Sequence, residues 1–407
     1  MAKKWPTLFL LALAELLAMS LWFSASAVVP QLREAWQLSG GQSSWLTMSV
    51  QIGFVVGAIL SASMNLADRF PARIIFSVSA MLAALFNFLI AFGVDSLTPA
   101  LGLRFLTGMA LAGVYPPGMK LMATWCKADR GLCIGLLVAA LTVGSAMPHL
   151  LNALPLLGAN ANISEQNWRM ILFIASVLAL IASLIGIFFI RSGPLLGSAS
   201  SFNISHAFAG FRERAPRLAN FGYLGHMWEL YAMWAWVPIM LLASYQQAGK
   251  SEFLARLMGF LVIASGGISS VLAGKLADTW GRSRLTMLSL AISGCCAVVA
   301  GFFFDSPYLL SFICLIWGFA VIADSAQFSA AISELSDSRY VGTALTMQTS
   351  LGFLLTLFSI RIIPPLERLF GWEWAFVVLA LGPLFGFMSM WRLRQLPEAL
   401  KMASGNR

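Results

Sequence analysis

Polar residues in this chain occur in short clusters separated by long apolar runs. Twelve such runs can be marked, at about 7–29, 44–66, 73–93, 98–124, 131–155, 168–190, 217–243, 253–276, 284–304, 307–333, 339–366 and 371–393. Each is long enough to cross a bilayer as a helix, which takes roughly 20 residues. In lipid the backbone must satisfy its own hydrogen bonds, and the runs are too long for barrel strands, so each predicts a helix. Most connections are short. The exception is 191–216 (RSGPLLGSASSFNISHAFAGFRERAP), a Ser/Gly-rich, basic stretch with the composition of a flexible tether. The expected fold is an all-α polytopic membrane protein of twelve transmembrane helices in two six-helix bundles. It divides into 1–190, the linker 191–216, and 217–407, which includes a short tail.

The two halves repeat. Glu15, Ala18, Met19 and Trp22 in the first span recur with the same spacing as Glu229, Ala232, Met233 and Trp236 in the seventh, 214 residues later. Trp168-Arg169 opens the sixth span much as Trp372-Glu373-Trp374 opens the twelfth. The loop NLADRFPAR (65–73) answers GKLADTWGRSR (274–284). Parallel repeats of this kind are a transporter architecture.

Composition excludes an ordinary soluble protein: 59% of residues are hydrophobic and 11% charged, against about 25% charged in soluble domains. The net charge of +9 is scattered through short loops rather than gathered on one face, so no nucleic-acid partner is expected. With the N-terminus inside, 18 lysines and arginines fall on the cytoplasmic side, 5 on the other and 3 within spans. By the positive-inside rule both termini are cytoplasmic, in a cell (inner or plasma) membrane. The stretch from Lys3 to Ala27 imitates a signal peptide, but it carries Glu15 and continues apolar to Val29, so it is expected to stay as an uncleaved first span. The five cysteines form no metal pattern with the three histidines and are expected to be small hydrophobes, with neither a disulfide framework nor a zinc site. No metal and no cofactor are expected.

At the 8–9 loop the chain resembles the major facilitator superfamily, whose signature is Gly-x-x-x-Asp-(Arg/x)-x-Gly-Arg-x-(Arg/Lys). Gly274, Asp278, Gly281, Arg282 and Arg284 match it. The 2–3 loop is a degenerate copy that keeps Asp68, Arg69 and Arg73 but has Met64, Pro71 and Ala72 in place of the glycines and first arginine. The resemblance implies a cytoplasmic gate latch at these residues. Arg104-Phe-Leu-Thr-Gly108 in span 4 is similar to the family's Arg-x-x-x-Gly element, whose arginine the family links to proton coupling or substrate charge. Gly135 to Gly144-Ser-Ala-Met-Pro148 in span 5 is a partial form of the family's antiporter motif, lacking its terminal Gly-Pro-x-x-Gly-Gly.

Candidate chemistry lies in ionisable residues at membrane depth, which are costly there and usually functional. Glu15 and Glu229 lead, as a matched pair facing one central aqueous space. At helical spacing Tyr223, His226, Glu229, Met233 and Trp236 share a stripe, so His226 and Glu229 are expected to share a proton or to position one another. Met19 and Trp22 repeat that stripe in span 1. Asp324 and Gln327 in span 10 are candidates for the cavity or a proton path. Arg104 and Arg361 could bind an anionic group or pair with Glu15 or Glu229. Tyr115-Pro116-Pro117-Gly118 predicts a kinked gating helix. The structural reading of each, as a hydrogen-bonded group between helices or an interfacial anchor, stands beside these. The function expected is movement of a small organic, possibly anionic solute by alternating access and proton symport, working as a monomer. Proton-driven efflux of amphipathic compounds is the alternative. No nucleotide-binding loop and no catalytic constellation is present, so neither ATP hydrolysis nor a membrane enzyme is indicated.

Overall fold

A computed structural model describes residues 4–126, 130–154, 164–195, 206, 208–337 and 340–406, with backbone only at 67, 68, 130, 131, 164–167 and 209. Ten helices among these residues are long and apolar enough to cross a membrane. They are Gly40–Ser63, Ala72–Gly93, Leu97–Ala123, Leu132–Ala153, Trp168–Phe188, Glu252–Trp280, Arg282–Phe303, Pro307–Leu335, Val341–Ala375 and Val377–Arg394. These are spans 2–6 and 8–12. The two not in this set are span 1, whose regular helix Lys4–Met19 is only 16 residues long and is continued by a turn, and span 7, the helix Arg214–Gln247. They are the two spans that carry Glu15 and Glu229.

The duplication is visible in the packing. Within the N-terminal half span 1 packs on 5 and 6, span 2 on 4, and span 3 on 4 and 6. Adding six to each number gives the C-terminal half: 7 on 11 and 12, 8 on 10, and 9 on 10 and 12. The halves meet along two long seams, span 5 on 8 and span 2 on 11, which the same two-fold relation exchanges. Both termini lie on one face of the bundle, here the terminal face; the opposite one is the far face.

Local sequence explains the irregular points. Ser39 and Gln42 close a reciprocal capping box at the start of span 2, on the far face. Span 4 breaks into Leu97–Leu111 and Tyr115–Ala123, and Pro116 and Pro117 fall in the first turn of the second piece, where a missing N–H costs nothing. Pro364 removes the donor that would bond the Ile360 carbonyl in span 11, and the Trp236 indole N–H donates to that carbonyl instead, at 3.0 Å. Gly371, at φ 70°, marks the turn from span 11 into span 12.

Three details differ from the sequence expectation. Cys126 and Cys133 form a disulfide across the 4–5 loop, with Cα atoms 6.6 Å apart. They lie at the facing ends of a helical hairpin, a proximity that reading each as a core hydrophobe overlooks. Span 7 begins inside the predicted linker, at Arg214, and His206 of that linker stacks on Tyr340 with ring centroids 3.8 Å apart; residues 196–205 and 207 lie outside the described residues. The C-terminal tail folds back as Pro397–Gly405 and buries Ala399 and Met402.

Backbone approach is very close where Gly108 of span 4 meets Val50 of span 2, since a Cβ there would overlap the Val50 carbonyl. Gly108→Val should lower the unfolding temperature of the purified protein, by an overpacking cost of about 1–3 kcal/mol. Gly93→Ala, at a position with open space around the added carbon, should leave it unchanged. Equal stability of the two variants would contradict this packing.

Candidate functional site

The site begins with a break in span 1. The helix ends at Met19, residues 20–25 form turns, and a short 3-10 segment Ser26–Val28 follows. Carbonyls freed at membrane depth need internal donors. Arg104 of span 4 supplies them, donating to the carbonyls of Leu21 (2.8 Å), Trp22 (2.5 Å) and Leu46 (3.2 Å) and to Ser24 Oγ (3.1 Å). Its side chain is fully buried. The expectation that Arg104 meets an anionic ligand or pairs with Glu15 or Glu229 is therefore not met. The planar guanidinium is occupied by backbone acceptors that only its fork of donors can reach together.

This clamp fixes Trp22 and Phe23 between the halves. Trp22 packs on Phe54, Phe353 and Tyr231, with ring centroids 5.1, 5.3 and 5.9 Å away. Phe23 packs on Trp234 at 5.8 Å, and Phe54 on Phe353 at 4.9 Å. Spans 1, 2, 7 and 11 thus build one aromatic cluster across the interface, in the geometry of offset and edge contacts. Thr356 donates to Gln51 Oε1 across the 2–11 seam at 2.7 Å. Nearer the far face, Arg361 donates to Ser44 and Arg256 to Asn152, again joining the halves. The far face is closed.

Several buried polar atoms have no hydrogen-bond partner among the described residues: the donors Trp22 Nε1, Trp234 Nε1 and Gln51 Nε2 at this cluster, and both the donor Nε2 and the acceptor Oε1 of Gln348. Leaving such groups unpaired costs about 1–3 kcal/mol each, so they mark a place where a ligand with acceptor oxygens would be welcomed.

The two acids differ. Glu15 is wholly buried, its carboxyl lies against Gly118 at the span 4 break and within electrostatic reach of Tyr115, and neither oxygen has a hydrogen-bond partner among the described residues. Glu229 is equally buried but accepts hydrogen bonds from Ser293 Oγ (2.8 Å) and Trp317 Nε1 (2.7 Å) inside its own half. The expectation of two carboxylates meeting in one shared space is not met, because each faces a helix of its own bundle. His226 is also not Glu229's neighbour in chemistry. Its Nδ1 stands 2.9 Å from Asp324 Oδ1, both groups being buried, and Asp324 in turn lies within electrostatic reach of Glu229. Helical spacing puts His226 and Glu229 on adjoining positions, yet His226 turns to Asp324 of span 10 and Glu229 to Ser293 of span 9 and Trp317 of span 10.

Tyr223 bridges these groups. It lies within electrostatic reach of Tyr115, and its ring centroid is 6.1 Å from that of His226. Polar groups of both halves, Glu15 and Tyr115 from one and Tyr223, His226, Asp324 and Glu229 from the other, thus approach the interface. Met19 and Met233 are core residues beside it, and Trp236 caps span 11 as described. Sequence reading missed Tyr231, Phe54, Phe353 and Gln51. Gln51, a lone amide in an apolar run, was the one legible signal among them.

At the terminal face the second loop motif is assembled. Gly281 takes φ 102°, and Arg282 donates to both oxygens of Glu334 (2.8 and 2.7 Å) and to Gln327 Oε1 (2.7 Å), with Asp278 3.5 Å away. Gln327 thus belongs to this latch rather than to a cavity. The tail joins it, Ala403 N donating to Glu334 and Asn406 Nδ2 to the Asp278 carbonyl. Gly274 is buried and Arg284 exposed. In the first copy Arg69 is exposed and Arg73 half-buried, while the Asp68 side chain lies outside the described residues. Arg361, predicted to pair with an acid, is exposed on the 2–11 seam.

Comparison with known proteins adds the following. A sequence profile described as Major Facilitator Superfamily matches residues 11–360. A niacin transporter of Acinetobacter baylyi is 31% identical over 132 residues, 30% of this chain and 29% of that one. The chain thus spans under a third of that relative's length. A 4-hydroxybenzoate transporter of Pseudomonas aeruginosa is 20% identical over 87% of this chain and 84% of its own. The xylose transporter of E. coli in a partially occluded inward-open conformation superposes with a TM-score of 0.75, at 14% identity over 96% and 97% of the two chains.

Because Arg104 is a clamp, Arg104→Met should destabilise the protein by leaving the buried Trp22 carbonyl short of a donor and untying spans 1 and 2, at a cost of about 1–3 kcal/mol. Arg104→Lys should recover only part of the loss, since an ammonium cannot span the set. Thermal unfolding in detergent reads both. A methionine variant as stable as the parent but unable to bind solute would return Arg104 to the ligand site.

Proposed function

This chain belongs to the Major Facilitator Superfamily and is an integral, multi-pass membrane transporter; on that premise we propose that it moves a small planar organic anion by alternating access, together with a proton. The observation that carries the reading is Glu15: a carboxyl wholly buried at membrane depth, with neither oxygen hydrogen-bonded among the described residues. A group in that setting is costly unless it exchanges a proton or meets a ligand. The break in span 4 and Tyr115 stand beside it, so rearrangement of that helix changes what the carboxyl faces.

The solute class follows from the aromatic cluster. Flat rings of Trp22, Tyr231, Trp234 and Phe353 can stack on a planar molecule, and the unpartnered indole and amide donors suit a carboxylate. The names of the two relatives, a niacin and a 4-hydroxybenzoate transporter, describe small aromatic acids and agree with that class. The state described is closed on the far face. Opening it requires the Arg361–Ser44, Arg256–Asn152 and Thr356–Gln51 bonds to part together with the aromatic cluster, while the Arg282–Glu334–Asp278 latch keeps the terminal ends of spans 8 to 10 together as the halves rock. The terminal face is the cytoplasmic one, as its excess of lysine and arginine requires, and a single chain is the working unit.

Proteoliposomes with an imposed pH gradient and labelled nicotinate or 4-hydroxybenzoate separate symport from efflux. Acid outside should drive accumulation; expulsion under the same gradient would establish antiport. Glu15→Gln should abolish accumulation against the gradient while solute exchange across the membrane continues. Glu229→Gln should keep a measurable part of it, because the amide oxygen can still accept from Trp317 Nε1 while the amide nitrogen donates to Ser293 Oγ, whose hydroxyl turns to accept. Parental accumulation by Glu15→Gln would remove that residue from coupling.

A further inference from the structure

A cavity of about 820 Å³ lies on the 2–11 seam. It runs from the far face toward mid-membrane. Its wall is apolar, with Met48 from span 2 and Leu357, Phe358 and Ile362 from span 11, and it ends in two arginines, Arg361 and Arg368. It opens sideways, since Phe358 is 70% exposed where the surface meets the membrane.

Cations on this face divide into those with a carboxylate partner and those without. Arg169 is paired there with Asp95 and Arg256 with Glu252. Neither Arg361 nor Arg368 has a carboxylate within ion-pair distance among the described residues. Seven residues apart, they stand on the same side of span 11, about 10 Å from one another along the axis. The neighbouring Glu367 is not part of the cavity wall. An apolar slot open to lipid, headed by two arginines without counter-charges, has the shape and charge of a site for an amphiphile with an anionic head.

We propose that this cleft binds an anionic phospholipid, its phosphate held by Arg361 and Arg368 and an acyl chain along the apolar wall. The phosphate accepts charge-assisted hydrogen bonds from the guanidinium forks, and the chain covers surface that would otherwise pack imperfectly. The site is conformation-dependent. Arg361 lies across Gly41 of span 2, where a Cβ would collide with the guanidinium, and donates to Ser44. Opening of the far face separates spans 2 and 11 and takes the cleft apart, so the bound lipid favours the far-closed state.

The test uses the full chain, purified and stripped of lipid in detergent, with unfolding temperature as the readout. Dioleoylphosphatidylglycerol should raise it, dioleoylphosphatidylcholine with the same chains should do so far less, and inorganic phosphate not at all. Arg361→Gln with Arg368→Gln should weaken the phosphatidylglycerol response on the order of ten-fold or more, each arginine contributing a factor of several. The response to phosphatidylcholine should not change. Arg368→Gln alone, at an exposed position that folding tolerates, should show a several-fold loss by itself. Equal responses to the two lipids, or parental affinity for phosphatidylglycerol in the Arg368 variant, would overturn the proposal. An effect of phosphate alone would replace it with a free-anion site.

Discussion

No carbonyl may be left without a donor inside a membrane, and in this protein the constraint is met at one point by a single side chain. Span 1 stops being a helix after Met19, and Arg104 takes up the carbonyls of Leu21, Trp22 and Leu46. The break lets Trp22 and Phe23 turn across the interface, where they meet Tyr231, Trp234, Phe54 and Phe353. Without the clamp the turn would revert to helix or expose unpaired backbone, and the aromatic cluster that joins the halves would lose its centre. A cation at membrane depth is here part of the scaffold.

The two halves share a packing plan but not a distribution of polar groups. Counting back 214 residues from His226 reaches Ala12, so the histidine that stands beside Asp324 has no equivalent in the N-terminal half. The C-terminal half holds a connected set, with Glu229 bonded to Ser293 and Trp317 and His226 beside Asp324. In the N-terminal half Glu15 has no hydrogen-bond partner among the described residues. That asymmetry suits a machine in which one half anchors and the other exchanges. Tyr115 and Tyr223, one from each half, lie within electrostatic reach of one another.

Most of the fold was legible from the sequence, and most of the site's geometry was not, for a physical reason. Span number, the duplication and the second gate loop are written in periodicity and in turn chemistry around Gly274, Asp278 and Gly281. Side-chain direction within a buried bundle is set by the rotation of each helix against its neighbours, which spacing along one helix does not record. Glu229 and His226 are three apart and yet take different partners, Ser293 and Trp317 for one and Asp324 for the other. Gln327 reads as a cavity residue and belongs to the latch through Arg282. Arg104 reads as a ligand for charge, because the break in span 1 that needs it leaves no proline or glycine signal in Ser20–Ala25. Cys126 and Cys133 read as core residues, because only the hairpin between spans 4 and 5 brings them together.

The central claim is that solute and proton move together and that Glu15 is where the proton is carried. Proteoliposomes loaded with a pH indicator, with no pH gradient and the membrane potential clamped at zero, test it when nicotinate or 4-hydroxybenzoate is added outside. The account predicts acidification of the lumen in step with solute entry for the parent, and solute exchange with no proton signal for the Glu15→Gln variant. Solute entry without acidification in the parent, or an undiminished proton signal in the variant, would contradict it.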